Sequence, residues 1–309
     1  MSAPPASAGR SWLANALITV VLWGVWGAFS DQSPKHGFPD TLVYCVWALT
    51  MIPPAFIALR AAGGKLERSP RAIAYGMAIG LLGAGGQMVL FYAITRGPAY
   101  LIFPIISLSP LVTIVMSFAL LGERTGKLGV LGILLALIAL PIFNYAPADG
   151  AATSGSLWFV LALVVMLSWG VQAYFMKSAN NHMSAEGIFF YMMIAGLLLV
   201  PVAWALTDRS QAINWGWSGP ALAAGIQVLN AIGALTLVFA FRYGKAIIVA
   251  PLSNAGAPLA TAIISLIALG VMPDTLKIVG LVLALAASVL LAIEPDDAGK
   301  ALDPAPEPA

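Results

Sequence analysis

Charge is what this chain has least of. Asp, Glu, Lys and Arg make up 9% of its 309 residues against 60% hydrophobic residues, and the mean hydropathy is +0.92. That leaves too little polar surface to cover a water-soluble globule of this length, so the chain is read as an integral membrane protein. Cysteine is almost missing as well: single Cys45 excludes an internal disulfide, and no Asn-x-Ser/Thr glycosylation acceptor occurs. Both absences suit a bacterial inner (cytoplasmic) membrane. Histidine is limited to His36 and His182, both near loops, with no His-Glu-x-x-His pattern and no intramembrane pair of Asp. A membrane enzyme would lack its catalytic groups, and no metal ion or cofactor is expected. A net charge of +2 spread over several loops gives no basic surface for nucleic acid.

One further absence concerns mechanism. All 13 Asp and Glu fall in tails, loops or helix ends, and none at the centre of an apolar run. An ionised carboxylate there costs about 2.5–3.5 kcal/mol on insertion scales and is kept chiefly to bind ions or protons. The usual carboxylate switch for proton or sodium coupling is therefore not in view. Coupling through backbone carbonyls at broken helices stays open.

What the chain has instead is apolar length. Runs long enough to cross roughly 30 Å of hydrocarbon as helices recur throughout. They predict about ten spans, at 12–30, 41–60, 71–94, 99–121, 127–146, 155–177, 186–207, 219–241, 246–270 and 276–293. The first is too long for a secretory signal and lacks a small-x-small cleavage pattern. The Pro- and Ala-rich ends, 1–11 and the acidic 296–309, are expected to be disordered tails. With the N-terminus inside, the cytoplasmic segments hold Arg10, Arg60, Lys65, Arg68, Arg71, Arg124, Lys127, Lys177, Arg242, Lys245 and Lys300, against Lys35, Arg96, Arg209 and Lys277 outside. That bias predicts both termini in the cytoplasm.

The two halves repeat one another. Residues 93–104 align without gaps on residues 240–251, matching at Ala93/Ala240, Gly97/Gly244, Ala99/Ala246 and Pro104/Pro251. Trp23-Gly24-Val25 likewise matches Trp169-Gly170-Val171. Five spans in 12–148 and five in 153–295 put the second copy upside down in the membrane, because five is odd. Inverted repeats of this kind serve alternating access around a midplane site, and paired proline-interrupted segments point to that site.

Leu22-Trp23-Gly24, the stretch from Arg96-Gly97 to Pro104, Ser109-Pro110-Leu111-Val112-Thr113 and Leu120-Leu121-Gly122-Glu123-Arg124-Thr125 carry a family likeness. On these residues the chain resembles the drug/metabolite transporter superfamily, specifically its EamA-type members, over nearly all of its length. The resemblance implies an all-α fold of ten helices in a five-plus-five inverted repeat. It also implies that spans 1–4 and 6–9 line a central path while spans 5 and 10 stand outside. The second copy departs from the family's Gly-Glu pair, reading Gly270-Val271-Met272-Pro273-Asp274.

Candidate site residues follow from polar and aromatic side chains inside the spans. Trp23 and Trp26 share one helix face, and Trp169 and Gln172 occupy the matching face of span 6. Aromatic faces suit sugars, rings or cations, and an amide can orient a substrate; the alternative is plain interhelical or interfacial packing. Ser107 and Asn254 each lie three residues beyond the paired prolines Pro104 and Pro251, which are expected to break their helices. There Ser107, Ser253 and Asn254 can contact substrate or repair the break. Gln227 and Asn230 share a face of span 8, and Gln87 follows the glycines of span 3; these amides are substrate contacts or interhelical hydrogen bonds. Tyr92 and Tyr174 are lesser candidates. Arg96 and Arg242 are candidate gates, or else neutralise helix C-terminal carbonyls. Lys177 is expected to snorkel to the cytoplasmic surface. Glu123 and Thr125 are expected to cap span 5, as Asp274 and Thr275 would cap span 10.

These features predict a secondary transporter of a small, uncharged or zwitterionic organic metabolite, acting as facilitator or exchanger. A proton-coupled exporter of metabolites or drugs is the runner-up, and a non-transporting sensor or assembly scaffold is a third reading. The expected partners are a small-molecule substrate and the lipid bilayer, with a homodimer allowed. The aromatic and amide candidates suit sugars, nucleosides, amino acids and aromatic cations alike.

Overall fold

A computed structural model describes residues 11–94, 96, 99–144, 157–269 and 274–294. Apart from Ser11, both expected tails lie outside the described residues. Every regular element among the described residues is helical: α1 (Ser11–Phe29), α2 (Gln32–Lys35), α3 (Asp40–Thr50), α4 (Ile52–Ala61), α5 (Pro70–Ile94), α6 (Ala99–Ile106), α7 (Ser109–Leu120), α8 (Lys127–Asn144), α9 (Leu157–Ala179), α10 (Ala185–Leu198), α11 (Val200–Ala205), α12 (Leu222–Tyr243), α13 (Ala246–Leu269) and α14 (Thr275–Ile293). A π-helical turn, Trp217–Ala221, opens α12. Eight stretches are long and apolar enough to cross a membrane, and Ser109–Leu120 and Lys127–Ile142 are shorter apolar helices.

Several expected spans are broken, and the breaks follow proline chemistry. A proline removes one amide donor and leaves unpaired the carbonyl four residues back, so it is tolerated best in a first helical turn. Pro53-Pro54 stand at the start of α4, Pro110 in the first turn of α7 and Pro201 in that of α11. Pro251 corrects an expectation: both it and Pro258 sit inside the continuous helix α13. In the first copy the chain breaks not at Pro104, which lies within α6, but between α6 and α7 at Ser107-Leu108, just ahead of Pro110.

Helices cross between the halves. The first helix, α1, packs on α12 and α13, and α9 packs on α5, α6 and α7. The last helix of each half pairs with the other, α8 against α14. Their shared face is built of small residues, Ala136 and Ala139 against Ala284 and Ala287, which let two helices approach closely without a hydrophobic drive from lipid. Their outer faces carry exposed Leu131, Leu134 and Ile138 on α8 and Val282, Leu285 and Val289 on α14. An apolar outside over a close-packed inside is what a bilayer-embedded chain requires.

Candidate functional site

The site begins with a tryptophan seated on a glycine, twice. A β-carbon at Gly233 of α12 would lie 2.5 Å from Cδ1 and Nε1 of Trp23, so only glycine lets the α1 indole approach that helix so closely. The ring nitrogen of Trp23 donates to the carbonyl of Asn230, 3.2 Å away. In the other half Trp169 of α9 rests on Gly86 of α5, where a β-carbon would come 2.6 Å from its Nε1. Its ring nitrogen donates to the carbonyl of Gly83, again at 3.2 Å. The register that aligns Gly97 with Gly244 also places Gly86 on Gly233 and Gly83 on Asn230. The two joints are therefore one construction, made once in each half with its partner helix taken from the other.

The residue after each tryptophan completes the joint. Gly24 presses on Ala260 of α13, and its carbonyl accepts from Thr261 Oγ1 at 3.2 Å. Gly170 lies against Val112 of α7, and its carbonyl accepts from Thr113 Oγ1 at 2.9 Å. The sequence reading passed over this match, although its signal is plain: Pro110-Leu111-Val112-Thr113 is repeated as Pro258-Leu259-Ala260-Thr261.

Around the two joints the side chains differ. At the first, Trp26 Nε1 donates to Gln227 Oε1 at 3.1 Å, and Trp47 of α3, absent from the sequence candidates, donates to Asn230 Oδ1 at 2.8 Å. Thr19 adds bonds to the Gly233 carbonyl and to Thr236 Oγ1. The structure thus unites Trp23, Trp26, Gln227 and Asn230, with Asn230 midway along Trp217–Tyr243. At the second joint Gln172 packs against Gly83, and Gln87 is half-buried beside Gly86; neither amide is hydrogen-bonded within the described residues. Trp23 packs with the largest core cluster, and Trp169 with a separate one that includes Leu90 and Val165.

The remaining candidates sit apart from these pairs. Asn254 donates to the carbonyl of Ala250 at 2.9 Å, one turn back in α13, so its amide is engaged within its own helix. Ser253 is fully buried and its hydroxyl has no partner among the described residues. Ser107 is half-buried at the α6–α7 break. Arg96 lies over the Tyr92 ring, 4.9 Å from its centre. Arg242 stands 3.8 Å from Glu186, so its partner is a carboxylate on α10.

Three expectations at the helix ends are corrected. Glu123 does not cap α8; its Oε2 accepts from the amide of Ile247, at the start of α13. Thr125 instead donates to Glu294, whose carboxylate also takes the amides of Gly126 and Gly129 and so caps α8 from beyond the end of α14. Glu294 is only 7% exposed. Lys177 does not snorkel outward: its side chain is 16% exposed, its ammonium donates to the Gly244 carbonyl at 2.7 Å and lies 4.0 Å from Glu123. Lys245 reaches back to the Arg124 carbonyl at 2.9 Å. Buried charge here is paired and hydrogen-bonded because an unpaired charge off water is costly. Asp274 does cap α14, accepting from the amide of Lys277 at 2.9 Å.

Two helix-crossed halves, apolar outer faces and a polar-aromatic midplane define a multi-pass membrane protein of transporter type. The profile of the EamA-like transporter family matches residues 10–145 and again residues 156–293, and the chain belongs to that family. Among characterised proteins it is similar to the pseudopaline exporter CntI of Pseudomonas aeruginosa, matched in two strains at 26% identity over 200 residues. The match spans 63% of this chain and 66% of the exporter, just under two thirds of the relative's length. A crystal structure of a protein superposes with a TM-score of 0.73 at 19% identity, covering 90% of this chain and 96% of the other, which speaks for the fold alone.

Proposed function

We propose that the protein is a secondary transporter that moves a small, uncharged or zwitterionic organic metabolite across a bacterial cytoplasmic membrane by alternating access, as a facilitator or exchanger. Ten helices in a five-plus-five inverted repeat, with both termini in the cytoplasm, complete this reading. The observation that carries it is the doubled joint: Trp23-Gly24 held by α12 and α13, and Trp169-Gly170 held by α5 and α7. Two copies of one joint, turned over in the membrane, give two near-equivalent packings between which the halves can rock. The test is reconstitution: purified protein in liposomes should exchange a preloaded solute drawn from sugars, amino acids, nucleosides or aromatic cations. Folded protein that moves none of them contradicts the proposal.

Proton-linked export is the second reading; the direction, though not the coupling, is that of the pseudopaline exporter among the relatives. No carboxylate lies in the central turns of the described helices, and Glu123 and Glu294 are engaged at helix ends. An imposed pH gradient that changes the initial rate would support this reading; an unchanged rate would leave exchange or facilitation.

A further inference from the structure

We propose that the side-chain amide nitrogens of Gln227 and Asn230 form a carboxylate-recognising subsite, flanked by the indoles of Trp23, Trp26 and Trp47, for a zwitterionic amino-acid-like substrate. The inference rests on the transport reading and names the class of molecule carried.

An indole N–H donates and never accepts. Trp26 donates to Gln227 Oε1 and Trp47 to Asn230 Oδ1, so both amides are held with their oxygens on the indoles. That fixes the two orientations by chemistry, where an amide's oxygen and nitrogen are otherwise hard to tell apart. Each side chain must then turn its NH2 group away. Neither nitrogen meets an acceptor among the described residues. Gln227 is 5% exposed as a residue, yet its nitrogen is not among the fully enclosed unpartnered atoms, so a ligand oxygen can reach its unmet donors with little competing water. Gln227 and Asn230 are three residues apart on α12 and are neighbours on one helix face, so their donors can engage the two oxygens of one carboxylate.

The rest of the environment selects the charge of the ligand. No Lys or Arg lies within the central turns of α1, α3 or α12, so a free anion would find no full counter-charge. A zwitterion carries its own, and adds no net charge to a low-dielectric midplane. Its ammonium group suits the indole faces, which attract cations and are half-buried here. The second joint also has amides, Gln172 and Gln87, but neither is oriented by an indole among the described residues. The residue matching Asn230 is Gly83, and the register that pairs Trp23 with Trp169 places Met193 on Trp47. The subsite exists only where the repeat symmetry is broken, as an asymmetric substrate requires.

The test uses the full chain in proteoliposomes and measures counterflow of neutral amino acids beside their carboxamide and decarboxylated amine analogues, with sugars and nucleosides as a second panel. At least one zwitterion should exchange, and its analogues lacking the carboxylate should be slower by about tenfold or more. Gln227→Glu and Asn230→Asp each keep the oxygen that the indole needs and replace the NH2 by a second oxygen. Both should cut zwitterion exchange by about tenfold or more while sparing or raising that of the amine. Should either variant fail to fold, Trp26→Phe frees the Gln227 amide to turn and should bring zwitterion and amine toward parity. Equal rates for zwitterion and amine in the wild type, or undiminished zwitterion exchange in Gln227→Glu and Asn230→Asp, overturns the subsite. Flux of sugars, nucleosides or amines without zwitterions also overturns the subsite but keeps the transporter; no flux of any solute overturns both.

Discussion

The two tryptophan joints share their backbone and differ in their side chains. Trp23 on Gly233 and Trp169 on Gly86 have the same ring-to-carbonyl bond at the same 3.2 Å, and each is followed by a glycine carbonyl held by a threonine. Yet the first is surrounded by Thr19, Trp26, Trp47, Gln227 and Asn230, while the positions matching Thr19, Trp47 and Asn230 are Val165, Met193 and Gly83. What both copies keep is the mechanics of helix crossing. What one copy alone has is a pair of amides oriented by indoles, so it is there that a substrate contact belongs.

The comparison can be broken at its shared part first. Gly233→Leu and Gly86→Leu each drive a side chain into the indole seated on that glycine. Overpacking of this kind costs about 1–3 kcal/mol or more, so both variants should lose folded yield and melting temperature by similar amounts in a detergent thermal-shift measurement. A large loss in only one would show that the joints are not equivalent. Caps give the next largest effect. Glu294→Ala leaves the Gly126 and Gly129 amides unmet in a buried setting and should cost about 1–3 kcal/mol. Asp274→Ala removes an exposed cap on the partner helix and should cost about 0.5–1 kcal/mol. Equal melting shifts for the two would contradict the difference in burial. Smallest of all, Thr113→Val and Thr261→Val each remove one interhelical hydrogen bond worth about 0.6 kcal/mol on average, with matched shifts expected.

Much of the fold could be read from the chain because lipid imposes a simple rule. The scarcity of charge, the apolar runs and the repeated Gly97/Gly244 register point to a helical membrane protein of EamA type. Helix breaks were harder to read, since proline inside a helix is tolerated when neighbours fill in for the lost bond. Pro251 and Pro258 lie inside α13, while the chain breaks ahead of Pro110. At the candidate site the pairing of Trp23 and Trp26 with Gln227 and Asn230 joins faces that the sequence picked out singly. Nothing in the periodicity of α1 says that α12 is its neighbour. Trp47 was invisible because it has no counterpart in the other half, and Glu294 because it caps a helix far away in the chain.

The most direct test of the account compares exchange of neutral zwitterionic amino acids by three reconstituted proteins: wild type, the Gln227→Ala/Asn230→Ala double variant and the Thr113→Val/Thr261→Val double variant. The account predicts exchange by the wild type, a loss of about tenfold or more in the amide variant with its folded state intact, and retention of most activity in the threonine variant. Undiminished exchange in the amide variant, or a folded wild type that exchanges no zwitterion, would contradict it.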